Sequence, residues 1–176
     1  AGSGAVWNLN SNKLRFKPHL NLGASGLTSA DAAGLPILPG LLRPSEVRAG
    51  YVDHAIRFTA PCTAPHFIWP ARHHTDAPHQ QNCPNAGPYP PLGARFRLKA
   101  GYHLQGATKD TKAVLKAMKT YGLILADNGS SWYFQGEQST HWPDSFIVQM
   151  KEIPASAFEA VDESSLQVSA NSARAK

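Results

Sequence analysis

One stretch of the sequence, residues 108–135, constrains the fold more than any other part of the chain. It reads TKDTKAVLKAMKTYGLILADNGSSWYFQ, and its first half has the apolar spacing of one helix face. The residues of that face are Val114, Leu115, Met118 and Tyr121, while lysines occupy the opposite face. Thr108 or Asp110 is expected to cap the start of this helix by accepting backbone N–H groups. Gly122 is expected to end it, because glycine adopts the left-handed conformation without strain.

Two strands are expected after this helix. Residues 123–126, Leu-Ile-Leu-Ala, form an apolar run that is typical of a buried strand. Asp127, Asn128 and Gly129 carry the chemistry of a tight hairpin turn. Residues 131–134, Ser-Trp-Tyr-Phe, then return as the partner strand. The stretch therefore predicts a helix followed by a β-hairpin.

Turn residues divide the rest of the chain into short segments. The 176 residues include 14 glycines and 14 prolines, and only 16% are charged, which favours many short strands over a helical bundle. Further strands are expected at residues 5–9, 51–59, 66–69, 95–100 and 156–161, and short helices at residues 44–50 and 143–151. The predicted fold is all-β, an antiparallel, jelly-roll-like β-sandwich with one solid helix and one or two short ones. We expect one domain over residues 1–168 and a flexible tail over residues 169–176.

The two cysteines, Cys62 and Cys83, lie in a segment rich in Pro, His and Asn that has no strand or helix periodicity. A disulfide that staples this long loop is the favoured interpretation, since a metal site would need further ligands at tight spacing. A disulfide predicts an oxidising, extracellular compartment, so we expect a secreted protein. In a eukaryotic source, Asn128-Gly-Ser130 would also be a glycosylation site.

Charge and hydropathy exclude two classes of partner. The net charge of +5 is spread along the chain, and its only dense basic group is the lysine face of the predicted helix. That face is better explained as a solvated helix surface than as a nucleic-acid site, which would need basic residues clustered with stacking aromatics. No apolar run approaches the length of a membrane span. We therefore expect a soluble protein with neither a nucleic-acid partner nor a membrane span.

Five segments in fixed order, YVDHAIRFTAP, FIWPARHH, PPLGARFRLKA, AVLKAMKTYGLILADNGSSWYF and SAFEAVD, resemble a family of uncharacterised secreted microbial proteins. The resemblance covers most of residues 1–168 and implies secretion and one compact β-rich unit, with no catalytic assignment. The loop at residues 13–27 and the region between the cysteines are longer than in the family pattern. In the family, polypeptide with its own strands precedes the block that matches residues 1–6. The resemblance thus implies a partner that covers a sheet edge, either an N-terminal companion fragment or a neighbouring copy that donates a strand.

The matching segments are rich in residues that commonly hold sugars, because aromatic planes cover the apolar face of a sugar and charged groups bond its hydroxyls. The residues predicted to contact a ligand are Arg57, Trp69, Arg72, His73, Trp132, Tyr133 and Trp142. The residues predicted to act in catalysis are His54, Asp127 and Asp144. For the tryptophans, burial in the core is the alternative, since Trp is highly buried on average. Turn chemistry alone would explain Asp127.

The expected function is that of a secreted protein that binds, and in one version cleaves, a polysaccharide or oligosaccharide. Two versions of cleavage remain open. A hydrolase needs two carboxylates around the scissile bond, and its candidates are Asp53, Asp127, Asp144 and Glu159. A lyase needs arginines to neutralise a uronate and a base to take its proton, and its candidates are Arg95, Arg97, Tyr102 and His103. The rival class is a structural protein that assembles into an extracellular coat or fibre.

The sequence predicts no cofactor and no resident metal. No Gly-rich phosphate loop follows a strand, and no G-x-S-x-G elbow occurs. The histidine-rich run His73-His74-x-Asp76-x-x-His79 suggests metal ligands, but an irregular loop does not impose their geometry.

Overall fold

The computed structural model describes residues 5–15, 30–75, 83 and 87–176. These residues form one five-stranded sheet, three α-helices and two short 3-10 helices. The strands are β1 Ile56–Ala60, β2 Arg95–Leu98, β3 Leu123–Asn128, β4 Tyr133–Phe134 and β5 Phe158–Val161. The helices are α1 Pro44–Ala49, α2 Lys109–Thr120 and α3 Asp144–Lys151, with 3-10 helices at Leu38–Gly40 and Ala155–Ala157.

The sheet is mixed, with the strand order β4-β1-β3-β2-β5. β1 and β3 are parallel, whereas the other neighbouring pairs are antiparallel. The prediction of a β-rich fold with one long and two short helices is confirmed. The purely antiparallel arrangement is wrong, because the long segment between β1 and β3 returns β3 in the direction of β1. A second, facing sheet is not seen among the described residues, so the sandwich itself is not confirmed.

The predicted hairpin after α2 is also wrong. β3 is flanked by β1 on one side and by β2 on the other, so it has no free edge for the returning strand. β4 instead pairs with β1, where Phe58 lies opposite Phe134. The chain therefore passes from the middle of the sheet to its edge after Gly129, and this places Trp132 beside β1.

The ends of the helices follow the predicted local chemistry. Thr108 caps α2, since its side chain accepts the backbone N–H of Thr111. Gly122 follows α2 at φ +77°, and a Cβ there would lie 2.5 Å from the carbonyl oxygen of Phe96. α3 spans Asp144–Lys151, inside the predicted range. α1 ends at Gly50 as predicted, and its N-cap is Arg43, because Pro44 begins the helix.

The two faces of the sheet differ in chemistry. On one face, Ile56 and Phe58 of β1 are almost fully buried together with Val114 and Met118 of α2. On the other face, Arg57, Ile124 and Arg95 lie side by side on three adjacent strands. We call these the apolar face and the arginine face.

The two ends of the described chain differ from expectation. Residues 5–9 form no strand, and the predicted strand at residues 66–69 is reduced to a single bridge between Phe67 and Leu92. The segment after residue 168, expected to be a flexible tail, makes defined contacts with the body of the protein. Asn171 accepts the backbone N–H of Leu14 at 3.0 Å, and Ala173 donates to Asn12 at 2.8 Å. Backbone pairing, which composition does not reveal, holds this segment in place.

Candidate functional site

The structure separates the ten predicted site residues into distinct groups. Trp132, Tyr133 and Trp142 line one open groove at the edge of the sheet. His54 and Arg57 line a smaller cavity on the arginine face, and Asp127 lies close to it. Trp69, Arg72 and His73 contact the segments that flank this cavity, and Asp144 stands apart, exposed at the start of α3.

The groove with the three aromatic residues, which we call the aromatic groove, has a volume of about 680 Å³. That volume falls within the range of small-molecule binding sites. One wall is formed by β4 and the residues around it, from Ser131 to Glu137, and the other by α3 and the residues after it. Side chains of the core form its floor, and they are Leu42, Val114, Met118, Phe146 and Ile153.

Trp132 is the most constrained residue of the aromatic groove. Its ring stacks on Phe58 at 4.9 Å and on Phe158 at 5.1 Å between centroids, so both of its faces are covered. Its backbone lies at φ +55°, in the left-handed region that bulky residues rarely adopt. Strain of this kind is found most often at functional sites, where the surrounding structure holds it.

The indole N–H of Trp132 differs from those of two other tryptophans. Trp69 donates its N–H to the carbonyl of Ser172 at 2.7 Å, and Trp142 donates to the carbonyl of Glu137 at 2.8 Å. The N–H of Trp132 has no acceptor among the described residues. Its nitrogen is not fully buried. Among the described residues this donor therefore has no protein partner, and Trp132 itself lines the groove.

The mouth of the aromatic groove combines exposed aromatic surface with polar groups. Tyr133 is 59% exposed, and Trp142 stacks on Phe146 at 5.3 Å with one face of its ring. The polar residues of the lining are Ser131, Gln135, Glu137 and Lys151. The mouth thus offers ring surface, hydrogen-bonding groups and one charge of each sign.

The cavity on the arginine face is smaller, about 190 Å³, and its charged side chains are paired, although Nε of Arg57 is buried without a hydrogen-bond partner among the described residues. Arg57 is buried and donates to Asp31 at 2.8 Å and to the side chain of Gln135. Arg95 pairs with Glu163, and His54 lies between Glu46 and its own neighbouring carbonyl. The side chains around the cavity thus form a network of ion pairs and hydrogen bonds that joins loops to the sheet.

Burial strongly perturbs the carboxyls of this network. The pKa of Asp31 is raised to about 6, because burial outweighs the effects of the Leu35 backbone N–H and of Arg57. Burial also raises the pKa of Asp127, which accepts the backbone N–H groups of Ala32 at 3.3 Å and Asn128 at 2.9 Å. Asp127 therefore joins the end of β3 to the loop around Ala32, and its bond to Asn128 is the local turn chemistry that the sequence suggested.

Trp69, Arg72 and His73 serve the packing of chain segments. Arg72 is buried and donates to the carbonyl of Ala170 at 2.5 Å and to the side chain of Asn171 at 3.0 Å. Burial lowers its pKa. The ring of His73 lies 3.0 Å from the carbonyl of Ala32. These hydrogen bonds join the three residues to neighbouring segments, while Nε of Arg72 is buried without a hydrogen-bond partner among the described residues.

None of the four carboxylates considered for a hydrolase lines one of the three cavities described here, and Arg95 and Tyr102, considered for a lyase, line different ones. Asp127 and Asp144 line no common cavity, although a hydrolase needs its two carboxylates about 5 to 9.5 Å apart around one bond. Of the residues considered for a lyase, Arg95 and Arg97 are paired with Glu163 and Glu159. Tyr102 lines a shallow pocket elsewhere, and burial raises its pKa.

The cysteines and the glycosylation sequence have defined partners. Cys62 and Cys83 form a disulfide, as predicted. Asn128 donates its side-chain N–H to Thr63 at 3.2 Å and accepts from Thr75 at 2.7 Å. A glycan would be attached at Nδ2 of Asn128, the atom that donates to Thr63, so the structure does not support glycosylation there. Asp76 and His79 lie outside the described residues, and the described residues contain no group of three or more His, Cys, Asp or Glu side chains that could hold a metal.

Sequence reasoning missed Asp31 and Glu163, the two buried acids that neutralise the arginine face. The signal for Asp31 was weak: one acidic residue followed by Ala-Ala-Gly-Leu in a segment of small and apolar residues. It also missed Gln135, which lines the aromatic groove and accepts from Arg57.

Comparison of the chain with protein-family models, with curated proteins and with solved structures finds no match. No helix in the described ranges is long and apolar enough to cross a membrane.

Proposed function

We propose that the protein is a secreted binding protein that holds a carbohydrate-containing ligand in the aromatic groove and does not cleave it. One observation carries this proposal: the exposed ring of Tyr133 and the partly exposed ring of Trp142 lie with Trp132 along one open groove, whose lining also has hydrogen-bonding groups. Aromatic surface beside a few polar groups is the combination that suits a sugar ring. The disulfide supports secretion, since disulfides persist in oxidising compartments.

Cleavage is not part of the proposed function, because neither Asp127 nor Asp144 lines the aromatic groove. Asp127 is held by backbone N–H groups on the arginine face, and Asp144 is exposed outside the groove lining. Glu137 is an acid of the lining, and no second carboxylate shares the lining with it among the described residues. Catalysis by a pair of carboxylates is therefore not part of the proposed function.

The test is a binding titration of neutral and acidic oligosaccharides and their glycosides, followed by tryptophan fluorescence and calorimetry. We expect a dissociation constant tighter than about 1 mM for at least one glycan, the weak end of specific recognition. Tyr133→Ala should weaken binding by about tenfold, because it removes the most exposed ring of the groove. Tyr121→Ala is the matched control, since Tyr121 is 40% exposed and lies outside the groove.

A partner at a sheet edge remains a second, separate part of the proposal. β4 and β5 are the outer strands of the described sheet. A companion fragment or a strand from a neighbouring copy could extend either edge, and a second sheet of the expected sandwich would then come from outside the described residues. The native mass, set beside mass spectrometry of the chains, tests this part. A monodisperse monomer of this polypeptide alone would contradict it.

A further inference from the structure

We infer that the ligand of the aromatic groove is an amphipathic glycan, a neutral sugar head that carries an alkyl or acyl chain. This inference rests on the proposed function, because it assigns the chemical class of the ligand to the same groove. The alkyl or acyl chain of the ligand occupies the floor of the groove, and the sugar occupies its mouth.

The floor is too apolar for a sugar. The core residues Val114 and Met118 underlie it, and Ile147 and Met150 of α3 supply apolar surface that solvent reaches. None of these side chains has a hydrogen-bonding group that a sugar hydroxyl can use. A hydroxyl that loses water without gaining a partner is strongly disfavoured, whereas a methylene in the same place is favoured because it leaves water.

The shape of the floor also suits a chain of variable conformation. Met118 lies at the floor and Met150 in the α3 wall. Methionine is unbranched and flexible, and it recurs at surfaces that adapt to different apolar ligands. Ile147 continues this apolar wall toward the surface, where it is 38% exposed.

The mouth provides what the head of such a ligand needs. Glu137 and Lys151 contribute one negative and one positive charge, so the rim favours neither an anionic nor a cationic head. The unpaired indole N–H of Trp132 is the only one of the groove's two tryptophan donors without an acceptor among the described residues. We assign it as the donor to the ether or ester oxygen that joins the alkyl or acyl chain to the sugar.

The experiment measures the affinity of the whole protein for a series of alkyl glucosides, from methyl to octyl, below their micelle concentrations. Affinity should rise by about fourfold for each methylene that enters the floor. The comparison arms are glucose and short oligosaccharides, which have the head alone, and octanol, which has the chain alone. We expect octyl glucoside to bind more tightly than either by at least about tenfold.

The arms separate failure of this inference from failure of the proposed function. Oligosaccharides that bind as tightly as octyl glucoside, with no gain along the series, would overturn the amphipathic ligand and leave glycan binding intact. Octanol that binds as tightly as octyl glucoside would overturn both, because the sugar would contribute nothing. Absence of binding in all arms would likewise overturn both.

Two adjacent residues of α3 provide a matched pair of variants. Ile147→Ser changes a residue of the groove lining, whereas Val148→Ser changes a neighbour that is 55% exposed and outside it. Ile147→Ser should weaken octyl glucoside binding by at least about fivefold and leave methyl glucoside unchanged, and Val148→Ser should change neither. Equal effects of the two variants, with thermal unfolding confirming that both fold, would contradict the placement of the chain.

Trp132→Phe tests the head of the ligand. Phenylalanine keeps a ring between Phe58 and Phe158 but removes the N–H donor. Binding of alkyl glucosides should weaken by about tenfold, while the ratio between octyl and butyl glucoside stays the same. A changed ratio with unchanged overall affinity would contradict the role assigned to this donor.

Discussion

Replacement of Arg57 by Met tests whether the buried ion pair with Asp31 stabilises the arginine face. Arg57 is 5% exposed, and it donates to Asp31 at 2.8 Å and to the side chain of Gln135. Its methylene stem packs against Gly40. A Cβ atom added to Gly40 would lie only 3.1 Å from the Cβ of Arg57. Methionine preserves much of that apolar stem but removes the charge. The carboxylate of Asp31, which is itself 6% exposed, then has no cation to pair with it.

The size of the effect follows from burial. Removing one partner of a buried ion pair costs about 3 to 5 kcal/mol, because the other charge stays buried without compensation. The effect should depend on pH. Arg57 lowers the pKa of Asp31, which is nevertheless about 6, so its removal moves that pKa higher still. Near pH 4.5 the variant can protonate Asp31, and the loss should shrink by at least about 1 kcal/mol.

The assay is urea unfolding followed by tryptophan fluorescence at pH 4.5 and 7.5. Arg97→Met is the control, since Arg97 pairs with Glu159 at 2.6 Å on the surface and should contribute no more than about 1 kcal/mol. The double variant Asp31→Asn, Arg57→Met should recover part of the loss at pH 7.5. A loss below about 1 kcal/mol for Arg57→Met, or an equal loss at both pH values, would refute the reasoning.

Three further predictions concern stability. The folded-state pKa of Asp31 is raised from 3.8 to about 6, so its contribution to the free energy of unfolding is fully present below pH 4 and is lost as pH rises through 6. Asp31→Asn should therefore remove about 3 kcal/mol of pH dependence from the stability curve in this range. The unfolded, unreduced protein should show no titratable thiol, and Cys62→Ser with Cys83→Ser should lower the free energy of unfolding by about 3 kcal/mol for a disulfide that spans 21 residues; two free thiols would contradict this. Thr108→Ala should cost about 1 kcal/mol in urea unfolding because it removes the N-cap of α2, whereas Thr120→Ala at the exposed end should cost less.

Local features of the fold could be predicted from the sequence. α2, its cap at Thr108 and its end at Gly122 follow from apolar spacing and from the chemistry of single residues. The alternation of β2 likewise places Leu98 in the core and Arg97 at the surface. In each case the information lies within one turn or a few residues of chain.

Features that depend on distant partners could not be predicted. The hairpin failed because turn residues 127–129 are compatible with a tight turn, whereas the choice of β1 as partner of β4 depends on which strand edges are already taken. The candidate site was split for the same reason. Trp132 and Trp69 look alike in the sequence, but one faces a groove and the other donates to the C-terminal segment.

The central claim is that a sugar-containing amphipathic ligand binds in the aromatic groove, and the indole N–H signals of the four tryptophans test it most directly. In a nitrogen-15 NMR titration with octyl glucoside below its micelle concentration, the signal of Trp132 should shift most, because Trp132 lines the groove and its N–H has no protein acceptor among the described residues. The signal of Trp69 should stay in place, since its N–H is bonded to Ser172 outside the groove. Saturable shifts of Trp132, with smaller shifts of Trp142, are the predicted result. A titration that leaves Trp132 unmoved, or that moves Trp69 equally, would contradict the account.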